Sequence, residues 1–222
     1  MTDATARPTA GIGRFVKEPF PGLSHAVGAI VAAVGVVCLL GAARSDAATV
    51  TGVAVYGVSL VALYVASCLA HSIYADARTN DLLDRLDYAA IFLLIAGTYT
   101  PICLTTLHGP WGWWMLGVQW ATALVGATMV MRVGPRKKWV ALYVPMGWAV
   151  VVVAGQLAAR MESAALLCLI AGGAVYTIGA AVFLTQRPRL WPGRFGSHDL
   201  WHVLVLLGSG LHFATVWCIT TA

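Results

Sequence analysis

Charge is what this sequence has least of. Asp, Glu, Lys and Arg make up 10% of the 222 residues, while 59% are hydrophobic. Soluble domains carry about 25% charged residues, so the deficit excludes an ordinary water-facing surface. The net charge is +5, but the basic residues lie between apolar runs and form no nucleic-acid face. Cysteine is sparse and scattered: Cys38, Cys68, Cys103, Cys168 and Cys218 each sit inside an apolar run, with no CxxC pair. The odd count and the spacing exclude a disulfide framework and suit small packing residues. No segmental repeat and no second domain are visible.

What is present is seven apolar runs, each near the roughly 20 residues that a membrane-spanning helix needs. They cover residues 23–43, 50–73, 88–107, 111–131, 139–157, 164–184 and 200–220. The first follows Arg14 and Lys17 and resembles a leader segment, but it exceeds the usual length of one and is kept as a span. Pro101 and Pro145 interrupt the third and fifth runs. Prolines are tolerated there when neighbouring helices satisfy the freed carbonyls. The expectation is an all-α bundle of seven transmembrane helices over residues 18–222, preceded by a disordered segment, residues 1–17.

Loop charge predicts the orientation. The N-terminus and the second, fourth and sixth loops hold Arg7, Arg14, Lys17, Arg78, Arg85, Arg132, Arg136, Lys137, Lys138, Arg187, Arg189 and Arg194. The opposite side holds Arg44 and Arg160. Cytoplasmic loops carry the excess of Lys and Arg, which places the N-terminus in the cytoplasm, the C-terminus outside and the protein in the cytoplasmic (inner) membrane. Trp111, Trp113 and Trp114 at one face, and Trp139 and Trp191 at the other, read as interfacial anchors. Gly28, Gly35, Gly172, Gly173, Gly179, Gly208 and Gly210 let the helices approach closely.

Ionisable groups at membrane depth are costly and mark function. His25, His71, Asp87, His198 and His202 fall at the cytoplasmic ends of four different spans, in one layer. His198 and His202 are spaced i, i+4 and share a helix face. Joined by His71, they make a three-imidazole metal site, the donor set of catalytic zinc that keeps one position open. Asp87 suits a group that holds water or orients an imidazole, and Ser67 shares the face of His71. Imidazole also suits copper, iron and nickel. His25, beside Ser24, reads as a polar neighbour or a fourth ligand. His108 reads as a surface residue. His212 lies about 15 Å further along its helix than His202, outside the site, and reads as an interhelical hydrogen-bond partner.

These residues resemble the bacterial hemolysin III family, within the progestin and adiponectin receptor (PAQR) superfamily. The likeness runs through Ser67-Cys-Leu-Ala-His71, Leu86-Asp87-Tyr88, Leu93 to Pro101, Met146-Gly147-Trp148, His198-Asp-Leu-Trp-His202, Gly208-Ser209 and His212. It implies a seven-helix bundle with Zn2+ held by His71, His198 and His202, with Asp87 reaching the zinc through a water and Ser67 as the accompanying serine. Glu18, Ser24 and His25 fit the family's amino-terminal element, although Pro21 replaces its Asn. The resemblance extends to alkaline ceramidases, implying hydrolysis of a lipid amide or ester by Asp87 and Ser67, with membrane lipids as partners. Two other readings stand beside it. One is a membrane-homeostasis protein or sensor with a closed, structural zinc. The other is the pore-forming activity in the family's name, for which the sequence shows no channel-lining charged stripe.

Overall fold

A computed structural model describes residues 16–107, 109–188, 190–191 and 194–221. Most of the predicted amino-terminal segment, and His108, lie outside the described residues. The chain forms α1 (Pro19–Ala42), α2 (Ala47–Ser72), α3 (Ala77–Pro101), α4 (Pro110–Val133), α5 (Lys137–Trp148), α6 (Ala154–Arg160), α7 (Ser163–Thr185) and α8 (Ser197–Thr221). A π-helical turn, Ile102–Thr106, continues α3, and a 3₁₀ turn, Ala149–Val153, joins α5 to α6. Counted as continuous spans, seven helices among the described residues are long and apolar enough to cross a membrane. The protein is a multi-pass membrane protein.

The helices pack mainly in chain order, α1 on α2, α2 on α3 and α3 on α4, and α7 runs along α8. Contact of α1 with α8 brings the first and last spans together. The span containing α3 is the most buried, with α2 next. Helix α1 shows how the solvent is chosen. Its inward residues are small or polar, Gly22, His25, Gly28 and Ala32, while Val27, Ile30, Val31, Val34 and Val37 face outward. A helix that is apolar on its outer face needs a hydrocarbon surrounding. Close approach depends on missing side chains. A Cβ at Gly97 on α3 would collide with Ser59 on α2, and one at Gly28 on α1 would come within 2.8 Å of Leu206 on α8.

The fifth span is broken just after Pro145, and neighbouring helices bond its backbone there. Beyond Pro145 the Gly147 carbonyl accepts from the Tyr99 hydroxyl (2.6 Å), and the Met146 carbonyl accepts from Gln119 Nε2 (3.1 Å). The Val150 amide donates to the same Tyr99 oxygen (2.7 Å). Tyr99 of α3 and Gln119 of α4 thus bond the backbone where the span is broken.

Two expectations need correction. The third helix starts at Ala77, eleven residues before the predicted run, because the Asp76 side chain caps it by accepting from the Arg78 and Thr79 amides (2.9 and 3.1 Å). Charged residues to Arg85 thus extend the helix beyond the apolar stretch. Arg85 itself donates to the Met131 carbonyl (2.7 Å) and so caps the end of α4. Trp139 is buried, not an interfacial anchor, and donates to the Gly134 carbonyl (3.0 Å).

Candidate metal centre

The site forms at the end of the bundle where α2 finishes and α1, α3 and α8 begin. His71 occupies the last turn of α2, and His198 and His202 the first two turns of α8. One ligand atom from each lies within 4.8 Å of the others. Ring centroids are 4.7 Å apart for His198 and His202, 4.8 Å for His71 and His202, and 5.1 Å for His71 and His198.

The outer nitrogens define which atoms point inward. His71 Nδ1 donates to Glu18 Oε2 at 2.6 Å, and His198 Nδ1 lies 3.6 Å from the same oxygen. His202 Nδ1 meets His25 Nε2 at 3.0 Å. The Nε2 atoms remain. Those of His198 and His202 stand 3.3 Å apart, the spacing of two ligands each about 2.0–2.1 Å from one tetrahedral ion. With both Nδ1 atoms carrying the protons, these two lone pairs face each other, and a cation between them removes the conflict. The widest ligand pair, at up to 4.8 Å, must close by about 1.5 Å to reach bonds of that length. The donor set and its outward hydrogen bonds therefore fit a metal ion.

Asp87, in the third turn of α3, places Oδ2 3.6 Å from His71 Nε2, on the metal side of that ring. Ser67 is buried on α2, one turn before His71. His25 stands behind His202, away from His198, and packs edge-on against Tyr64. Ser24 donates to the Pro21 carbonyl of its own helix (3.0 Å). His212 does not bond across helices as expected; Nδ1 donates to the Gly208 carbonyl one turn back on α8 (2.9 Å).

Glu18 is the residue whose role sequence reasoning did not assign. It is placed by backbone. The Lys17 and Glu18 amides donate to the Ser72 and His71 carbonyls (3.2 and 2.7 Å), and Lys17 Nζ donates to the Ala70 carbonyl (3.2 Å). The end of α2, where carbonyls lack intrahelical partners, is thus capped by the segment entering α1. That cap delivers the carboxylate to His71. Partial burial pushes the Glu18 carboxyl up, but the hydrogen bond and charge of His71, with His198 and Lys17, outweigh it and hold it below its ordinary range. The signal in the sequence is a lone carboxylate immediately before Pro19, the proline that opens α1.

A cavity lies deeper in the bundle, with walls from α3, α5, α7 and α8. Its residues nearest the site in sequence are Leu63, Ile91 and Trp201, about one turn from Ser67, one turn from Asp87 and one residue from His202.

Fold and site together define a class: a seven-helix membrane protein with a histidine cluster able to hold a metal ion at one end of the bundle. The chain belongs to the haemolysin-III-related family, which matches residues 14–213. It is 36% identical over 221 residues to Hemolysin-3 of Bacillus cereus, covering 97% of this chain and 96% of that one. A Hemolysin-3 homolog of Bacillus subtilis (strain 168) is 32% identical, over 89% of this chain and 92% of its own. More distant is the heptahelical transmembrane protein ADIPOR1 of Oryza sativa subsp. japonica, 30% identical over 70% of this chain and 44% of its own.

Proposed function

We propose that this protein is a zinc-dependent hydrolase of lipid amides or esters, resident in the cytoplasmic membrane with its metal centre toward the cytoplasm. The observation that carries the reading is the convergence of His71, His198 and His202 with a carboxylate, Asp87, beside His71 Nε2. Three protein ligands leave a fourth position open, the pattern of catalytic zinc. His25 supports this arrangement over a closed structural site, because its ring contacts His202 Nδ1, behind the ligand face. The charge bias of the loops supports the orientation.

Bound zinc would polarise a carbonyl and lower the pKa of water to about 7. The chain's residues do the rest. Glu18 holds His71 with Nε2 inward, and His25 does the same for His202. Asp87 orients the attacking water and accepts its proton. Ser67 donates a hydrogen bond to the oxygen that gains charge as the carbonyl is attacked. The proton held on Asp87 then passes to the leaving amine or alcohol. The apolar cavity takes the acyl chain and keeps bulk water from the carbonyl.

The test uses purified, zinc-loaded protein against ceramides, N-acyl amides and lysolipids. Turnover of one class is expected, and Asp87→Asn should lower it by about 10²–10⁴-fold while zinc content stays stoichiometric. His71→Ala and His202→Ala should lose the metal. Zinc-loaded protein that turns over none of the three classes refutes the hydrolase; stoichiometric metal in both alanine variants refutes the ligand set.

A further inference from the structure

The cavity wall is largely apolar, and its hydroxyls are already engaged. Thr98 donates to the Leu94 carbonyl (2.8 Å), Tyr99 to Gly147 (2.6 Å), Tyr143 to Tyr88 (2.8 Å) and Thr177 to Gly173 (2.7 Å). Tyr176 shares a hydrogen bond with Ser209 (2.8 Å).

His212 differs. It lines the same cavity, is only 9% exposed, and stacks on Tyr176 with ring centroids 5.2 Å apart. Nδ1 donates to the Gly208 carbonyl, and among the described residues no hydrogen bond to Nε2 accompanies it. In the neutral ring that bond leaves Nε2 as a bare acceptor. Nε2 is not among the fully buried atoms left without a partner; it opens on the cavity that its ring lines, where an occupant carrying a donor can meet it. The place is also built. A Cβ at Gly172 on α7 would overlap the His212 ring, and one at Gly208 would come within 2.7 Å of Tyr176.

We infer that the cavity receives a hydroxylated long-chain acyl group, with its mid-chain hydroxyl donating to His212 Nε2. The assignment rests on reading the metal centre as a lipid site. The occupant must bring a donor, because Nε2 offers only a lone pair. An alcohol fits better than an amide, whose carbonyl would be left unmet against apolar walls. The position follows from the helix: His212 is ten residues beyond His202, about 15 Å along the axis, which an extended chain of about a dozen carbons spans.

The experiment measures binding of free acids, which have no bond to cleave, to zinc-loaded protein in nanodiscs, following the fluorescence of cavity-lining Trp148 and Trp201. The probes are octadecanoate, 12-hydroxyoctadecanoate and 3-hydroxyoctadecanoate. The 12-hydroxy acid should bind about five- to ten-fold more tightly than either of the others, the worth of one buried hydrogen bond. In His212→Phe that preference should vanish while octadecanoate affinity stays within about twofold, and His212→Gln should restore part of it. Where the Phe variant does not fold, the ¹⁵N shift of His212 Nε2 in the native protein gives the answer: it should move with the 12-hydroxy acid and not with octadecanoate. Equal affinity for all three acids, or a preference that survives His212→Phe, overturns the assignment. Binding of none of them overturns both it and the lipid site. A 12-hydroxy preference without ceramide, amide or lysolipid turnover removes the hydrolase and leaves this subsite standing.

Discussion

Replacing Glu18 separates the metal centre from the scaffold that carries it. The carboxylate touches two of the three candidate ligands, His71 Nδ1 at 2.6 Å and His198 Nδ1 at 3.6 Å. The cap on α2 uses backbone amides and Lys17, so it survives a change of the Glu18 side chain. Loss of such an outer partner costs about 10–100-fold in metal affinity. Glu18→Gln keeps an acceptor oxygen but loses the charge, and about tenfold is expected; Glu18→Ala should approach 100-fold, or about 2.7 kcal/mol. The assay is competition for zinc against a chromophoric chelator, with circular dichroism to show that helix content is unchanged. The pH dependence adds a second check. The folded carboxyl is held below its ordinary value of 4.5, so its contribution is complete above that value and is lost only as pH falls through the lower one. The affinity gap between Glu18→Ala and the native protein should therefore stay constant from about pH 6 to pH 8. Affinity in Glu18→Ala within a factor of about three of native would refute the orienting role, as would a gap that closes across that interval.

The same structure makes three further predictions. Gly97→Val drives a side chain into Ser59 and should cost about 1–3 kcal/mol or more, read as a lower melting temperature in detergent. Hydrogen bonds from Thr79 hold the Asp76 carboxyl below its usual range. Its capping of α3 should therefore persist at pH 5 and fail only below the ordinary value of 3.8, seen as faster hydrogen exchange at the Arg78 and Thr79 amides. Single cysteines placed near Lys17 and at Thr221 in a cysteine-free background should react with an impermeant maleimide from opposite sides of the membrane, and only the latter from outside the cell.

The seven spans are legible in the sequence because hydrocarbon thickness sets both their length and their composition. The three-histidine layer is legible for a related reason: alternation of chain direction puts the end of one run and the start of another at the same depth, and i, i+4 spacing does the rest. The true start of α3 is hidden by its charges, which read as loop, whereas the Asp76 cap commits those residues to helix. Glu18 is hidden because its place depends on a backbone bond to His71, 53 residues away, which leaves no periodic trace. From sequence the bond of His212 reads as one to another helix, since a polar group at depth needs a partner; the partner is a carbonyl of its own helix, which pattern alone does not distinguish.

Division of the ligands between α2 and α8 has a consequence for biogenesis. One imidazole enters the membrane early in synthesis and the other two arrive only with the final helix. A nascent chain arrested before that helix has at most a single His of the three, too few to retain an ion against cellular chelators. A metal held at this site would thus report that insertion is complete, and truncated or misthreaded products should be distinguishable in the cell by their lack of it.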